Sequence, residues 1–364
     1  MNILTDHNRV ADPRAVKLQG IIEAGAVRVP SVLNEISAEF DNRRDMIAKP
    51  DALDFRVNGD IRAHVVGDAL SSDVGFTGFA RGQLLARAGV PVAYADKLIE
   101  LGESELLLNN INRMVGRNCK DGLLFRRVND TVKGVLSPSY RRMDASPIFE
   151  GFIESALRAG YVPYTGAVTD YRYHVSFILP EVFQPSAHEF IVLGVAITTS
   201  DYGSSALKIE MLALRITCLN LCMGADVMKS VHVGKRFNTT EDLIQLSNQT
   251  HDLDNKAVAS AVGDAVQSSI GLQAGVKNRI LDAMESDCNI NINDEVKKLR
   301  QKGFKKDLAE SVKVAFDSEM PVEFLPEVKN KWRLSNAISL IAKGSALPSD
   351  TRLDLQKQAM AVIS

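Results

Sequence analysis

Cysteine is scarce in this chain of 364 residues: Cys119, Cys218, Cys222 and Cys288 are the full set. So few in so long a chain make no disulfide framework, which excludes the small cysteine-stapled folds. Aromatic residues are only 6% of the total, with a single tryptophan. Apolar runs are short. Even FIVLGVAI (Phe190–Ile197) falls far below the roughly 20 residues that span a bilayer, so no membrane partner is expected. The opening MNILTDHNRVADPR is polar and has no signal-peptide pattern, which points to the cytoplasm and reduced thiols. An excess of one charge is also missing. Lys and Arg number 43 and Asp and Glu 45, a formal net charge of -2, so any polyanion surface must come from local segregation of charge.

The motifs of several enzyme classes are absent too. There is no G-x-x-x-x-G-K-[ST], H-E-x-x-H, C-x-x-C or G-x-S-x-G. Gly75, Gly78 and Gly82 have a spacing that is not the dinucleotide fingerprint. Cys218 and Cys222 are four apart with only His232 nearby, which reads as two thiols in an apolar run rather than a zinc site. The six histidines are scattered and suggest no triad. No cofactor and no catalysis are expected. The enzyme alternative is a metal-dependent nuclease, for which Asp121, Asp130 and Asp144 are the nearest carboxylates.

What remains is the balance of a globular protein, 45% hydrophobic and 24% charged. Apolar spacing predicts a helix over Pro30–Ile47. Asn58-Gly59 between alternating runs predicts a hairpin. Thr77 is placed to cap a helix with Ala80, Leu84 and Leu85 on its apolar face, and helices follow from Pro91 and over Glu103–Val115. Gly122–Ser137 reads as strand, turn, strand. Ser146–Gly160 reads as a helix capped by Ser146 with Pro147 at its first position. A strand follows within Tyr161–Pro180, with Tyr171, Tyr173, Val175 and Phe177 on one face and Arg172, His174 and Ser176 on the other. Glu189–Ser200 is a further strand, and the run from Ser204 to Gly224 is a strand or a strand entering a helix. From Thr240 the pattern is helical. The division expected is a hairpin and helical region at 1–115, a central basic α+β core at 116–240 and a helical region at 241–364. The fold class expected is α+β with a mainly antiparallel sheet, because regular crossover helices are missing between strands.

Charge is concentrated in one place. Arg113–Arg142 holds eight cations against Asp121 and Asp130, a net of +6 in 30 residues. Phe125 and Tyr140 stand beside the arginine pairs. Cations beside aromatic faces are what a single-stranded nucleic acid requires, the first for phosphates and the second for unstacked bases. The candidate contacts are Arg117, Lys120, Phe125, Arg126, Arg127, Lys133, Tyr140, Arg141 and Arg142. Arg172, Lys229, Lys235 and Arg236 supplement them. The alternative for such a run is a solvated surface. Arg215, in an apolar run, is either ion-paired in the core or reaching into a groove. Lys297–Lys306 is a second basic stretch that reads first as a solvated helix face.

Several segments, taken in order, resemble the phage- and plasmid-encoded family known as domain of unknown function 932. They are FTGFARGQLLARAGVPVAYADKLIE with NNINRMV, then GVLSPSYRRMD, then SDYGSSALKIEMLALRITCLN with Arg215, Cys218 and Asn220, then VHVGKRF and NKWRLSNAISLIAKG. The closing helix departs from the family in carrying Ile338-Ser339-Leu340 where a Thr-Glu-Tyr type segment is common. By fold analogy the resemblance extends to Rad52-like single-strand annealing proteins, which assemble into rings or filaments and hold single-stranded DNA without nucleotide hydrolysis. It implies an ATP-independent annealing protein of a phage or plasmid, homo-oligomeric, with single-stranded DNA as partner. A single-strand binding protein or an exonuclease of phage or host is a further partner under this reading. The competing reading is a protein-interaction module, an inhibitor of host defence or a structural component, without DNA activity.

Overall fold

The Asn58-Gly59 pair makes the turn its chemistry demands. Gly59 has φ +72° and joins β2 (Leu53–Asn58) to β3 (Asp60–Val65). A computed structural model describes residues 12–65, 73–230, 247–344 and 346–364. In it the hairpin lies at one edge of a six-stranded sheet. The sheet is completed by β1 (Arg43–Ala48), β4 (Val74–Phe76), β5 (Leu123–Val128) and β6 (Thr131–Leu136), in the order β1-β5-β6-β4-β3-β2. All its pairings are antiparallel except β4 with β6. One face is covered by α2 (Gly78–Ala88), α3 (Val92–Glu100) and α4 (Ser104–Asn118). Leu84, Leu85, Leu107 and Ile111 there meet Phe55, Ile61 and Phe125 of the strands. Thr77 caps α2 as expected, accepting a hydrogen bond from the Ala80 amide at 3.2 Å. The expected division at residue 115 does not describe this architecture, because β5 and β6 stand in the same sheet as β1–β4.

The second sheet is an antiparallel meander of β7 (Val162–Val168), β8 (Tyr173–Ser186), β9 (Glu189–Thr199), β10 (Leu207–Arg215) and β11 (Asn220–Ser230). The ambiguous run after Ser204 is thus two strands joined by a short turn. Every residue of β9 is buried, which is why it reads as a continuous apolar run: helices cover both faces of this sheet. On one face Tyr173, Val175, Phe177, Val195 and Ile197 pack on α5 (Ala145–Arg158) and the first half of α6 (Asn248–Glu285). Further along, Ile191, Leu193 and Met211 meet the second half of α6, α8 (Lys306–Asp317) and α9 (Lys331–Ala342). On the other face Val192, Leu212 and Leu214 meet Leu18, Ile21 and Ile22 of α1 (Pro13–Asp41) and Leu353 of α10 (Ser349–Val362). The remaining helix, α7 (Ile292–Gln301), packs beside α8.

Three elements differ from expectation. The helix read over Pro30–Ile47 begins at Pro13, runs through Pro30, forgoing one backbone hydrogen bond there, and ends at Asp41, so that the residues from Arg43 are strand β1 rather than helix. It is held by burial of Val29, Val32 and Ile36 and by close passage over β7. A Cβ on Gly25 would stand 2.1 Å from the Pro163 carbonyl oxygen. In addition, α5 starts two residues early, with Asp144 rather than Ser146 at its N-cap. The architecture is α+β with helical N- and C-terminal regions. Among the described residues no helix is long and apolar enough to cross a membrane.

Candidate nucleic-acid interface

Strand pairing decides where the basic segment points. In β5, Phe125 faces the helices and is 1% exposed, so it offers no surface for a base. Arg126 alternates to the opposite face, where α5, α6 and the β9–β10 connection close over it, and it is fully buried. Its Nε donates to Asp45 at 2.9 Å, one Nη to Asp144 at 2.8 Å and the other to the Asp201 carbonyl at 2.7 Å. Arg43 on β1 is fully engaged beside it, with Asp144 and Asp201 each at 2.8 Å. Arg142 reaches Asp45 at 3.4 Å. Three guanidinium groups thus face three carboxylates, and the centre is neutral.

The same compensation extends outward. Lys133 pairs with Glu39, whose other oxygen accepts hydrogen bonds from the Tyr173 and Tyr202 hydroxyls at 2.8 Å each. Arg141 forms a two-pronged bond to Asp254 at 2.8 and 2.6 Å. Arg172 pairs with Asp350 and Asp354. Arg127 is buried and engaged. Tyr140 reaches the Ser200 carbonyl at 3.4 Å, and burial pushes its hydroxyl pKa upward.

The expectation that this segment grips a polyanion is therefore corrected. Phe125, Arg126 and Arg127 are inside the protein. Lys133, Tyr140, Arg141, Arg142 and Arg172 are committed to partners within it. The acids responsible (Glu39, Asp45, Asp201, Asp254) are remote in sequence from the cations they neutralise. Of the expected set, Arg117 and Lys120 are exposed and make no hydrogen bond or ion pair with a described residue. Lys235 and Arg236 lie outside the described residues, as does the side chain of Lys229.

Charge balance fixes protonation in the centre. Burial opposes charge on Arg126, but Asp45, Asp144 and Asp201 hold its pKa well above the ordinary value. Burial likewise raises Asp144, yet Arg126 and Arg43 outweigh it and hold the carboxyl below the usual range. Asp201 is the opposite case. Burial pushes it up to about 6 against the pull of Arg43 and Arg126. Its other role is local: the carboxylate accepts from the Ala145 amide at 2.9 Å, at the start of α5. Of the carboxylates weighed for a nuclease, Asp144 is the one that stands in this centre. Asp144 is occupied by arginines and by Asn255, and among the described residues no three His, Cys, Asp or Glu side chains group as a metal site.

Strand alternation puts His174 and Ser176 on one face, as the spacing predicts, and pairing with β9 brings Thr198 to them. Ser176 Oγ lies 2.6 Å from His174 Nε2, and Thr198 Oγ1 lies 3.0 Å from Nδ1. This resembles a nucleophile beside a base, but His174 is 3% exposed and Ser176 0%. Burial, with Lys357 and Arg172 nearby, drives the His174 pKa down to about 3, so the ring is neutral. Arg215 also proves structural. Its guanidinium meets Glu189 through two bonds of 2.8 Å. Asn220 donates to Asn336 Oδ1 at 3.1 Å, so two of the segments that carry the family resemblance meet in space. Cys218 lies in the β10–β11 turn and Cys222 in β11, not four apart on a helix.

A second group of exposed cations among the described residues lies away from this segment. The α7–α8 corner carries Arg300, Lys302, Lys305 and Lys306 within residues 300–306, all exposed, with no acidic residue between them. Gly303, at φ +93°, allows the tight turn. Beside the corner a half-open cleft of about 700 Å³ lies between α7, α9 and α10. No family model matches the chain, and no curated protein or solved structure matches it either.

Proposed function

We propose that the chain is a non-enzymatic protein that binds single-stranded DNA and assists its annealing, with the α7–α8 corner as the contact surface in place of the 113–142 segment. The observation that carries this reading is the run of four exposed cations at 300–306, free of interleaved acid, whereas Arg126, Lys133, Arg141 and Arg142 of the 113–142 segment are paired with carboxylates of the protein. Of these four, only Lys302 has a described side-chain partner, Gln358, which is uncharged. The ordered resemblance to phage and plasmid proteins supports the same reading, and binding of this kind needs no cofactor. The protein would act in the bacterial cytoplasm as a homo-oligomer, which repeats the corner along a strand.

The test is anisotropy of a labelled single-stranded oligonucleotide over a salt series. Contacts to about 4–6 phosphates predict a loss of affinity of roughly 50- to 300-fold between about 50 and 200 mM salt. Charge reversal at Arg300, Lys302, Lys305 and Lys306 together flattens that dependence, whereas Arg117→Glu with Lys120→Glu leaves most of it. Failure of the wild type to bind at the lowest salt overturns the proposal.

A second reading, a protein-interaction module, is favoured by one feature. Val314, Met320, Phe324 and Val328 on α8 and the segment after it are exposed, Phe324 by 48%. Under that reading Phe324→Glu abolishes assembly measured by light scattering, and oligonucleotide binding is absent.

A further inference from the structure

The cleft between α7, α9 and α10 shares Lys302 with the basic corner. Its volume of about 700 Å³ is in the range of small-molecule sites, roughly 300–1,000 Å³. Leu299, Leu334 and Ile338 form its buried floor, and Ile290, Ala361 and Val362, none of them buried, line it above and offer a ring an apolar surface. Lys302 and Lys331 stand at the wall. The Lys331 ammonium makes no hydrogen bond or ion pair with a described residue, and Lys302 spends one of its three donors on Gln358 Oε1. That bond leaves the Gln358 amide NH2 free, and Asn289 adds a second unengaged amide. Amides of this kind hydrogen-bond the edges of bases. Two carboxylates also line the cleft, but Asp294 is paired with Lys297 at 3.1 Å and Glu295 with Lys298 at 2.6 Å. Their charge is therefore compensated, and the uncompensated charge of the cleft is positive.

We propose that this cleft is a nucleotide pocket, with the phosphate on Lys302 and Lys331, the base against Ile290, Ala361 and Val362, and its edge toward Gln358 and Asn289. The inference rests on the single-stranded DNA reading for its source of nucleotide, since a strand held on the corner passes Lys302 and delivers one residue into the cleft. A free nucleotide has the same chemistry, so both are tested.

The experiment uses the full chain with two probes, labelled deoxyadenosine monophosphate in equilibrium dialysis and the labelled oligonucleotide in anisotropy. Two variants are compared. Ala361→Trp fills the cleft from an exposed lining position on α10, and Lys331→Glu reverses the free charge. Circular dichroism confirms that each is folded. Both variants are expected to weaken retention of the monophosphate at least about tenfold, the loss of one charge-assisted contact or more. Oligonucleotide affinity falls by a similar factor if the strand is the source and is unchanged or absent if the free nucleotide is. Either pattern with monophosphate retained by the wild type upholds the pocket, even where the DNA reading itself fails. If the wild type retains no monophosphate and both variants bind the oligonucleotide as the wild type does, the pocket is overturned and the DNA reading stands. If the wild type binds neither probe, both are overturned.

Discussion

Arg126→Ala lowers the stability of the folded protein by about 3–5 kcal/mol, the cost of removing one partner from a buried charged network. The side chain is fully buried, and its loss leaves Asp45, Asp144 and the Asp201 carbonyl without their shared donor. Arg43 still engages Asp144 and Asp201 but does not replace the bond to Asp45 at 2.9 Å, since its own approach to that residue is 3.9 Å. Urea unfolding followed by circular dichroism measures the effect. Arg117→Ala is the control, exposed and unpaired among described residues, and shifts stability by no more than about 0.5 kcal/mol. Because the groups act together, Arg126→Met combined with Asp144→Asn costs less than the sum of the single changes. Equal small effects of Arg126→Ala and Arg117→Ala would show that the centre does not hold the two sheets together.

Much of the fold is legible in the residues, and the reasons are local. Asn58-Gly59 fixes a hairpin because glycine takes the left-handed turn. Thr77 starts α2 because its hydroxyl reaches the Ala80 amide. Alternation correctly separates Tyr173, Val175 and Phe177 from His174 and Ser176. The misread features are those decided at long range. Pro30 looks like a helix start, but packing over β7 carries α1 through it. The positive segment looks like a free surface because a local window cannot contain Glu39, Asp45, Asp201 or Asp254, which arrive from α1, β1, the β9–β10 connection and α6. The acid-free corner at 300–306 was visible in the sequence as a lysine-rich stretch. Only the tertiary structure shows that Arg126, Lys133, Arg141 and Arg142 of its competitor are spent on the protein's own carboxylates, which leaves Arg117 and Lys120.

The second large effect concerns acid. His174 is buried and neutral, with its pKa driven from the ordinary 6.5 to about 3. The unfolded chain binds a proton at His174 below pH 6.5 and the folded chain does not until about pH 3. The stability this group contributes is therefore complete above 6.5 and is lost as pH falls through that window, by about 1.4 kcal/mol per pH unit at the steepest. Asp201, pushed up to about 6, works in the opposite direction as pH falls, and Asp144, held low, works in the same direction as His174. The contribution of His174 is isolated by comparing the wild type with His174→Gln, whose amide can still meet Thr198 and Ser176. Urea midpoints taken from about pH 7 to about pH 4.5, the upper half of the window, converge for the two proteins as pH falls. Parallel curves would mean that the ring is not held neutral by burial.

The measurement that bears most directly on the reassignment of charge is photocrosslinking of a single-stranded oligonucleotide containing 4-thiothymidine, followed by mass mapping of the modified peptides. Crosslinks within α7 and α8, centred on residues 300–306 and extending to Lys331, are the predicted result. Crosslinks concentrated at 117–142, with none at the α7–α8 corner, would contradict it.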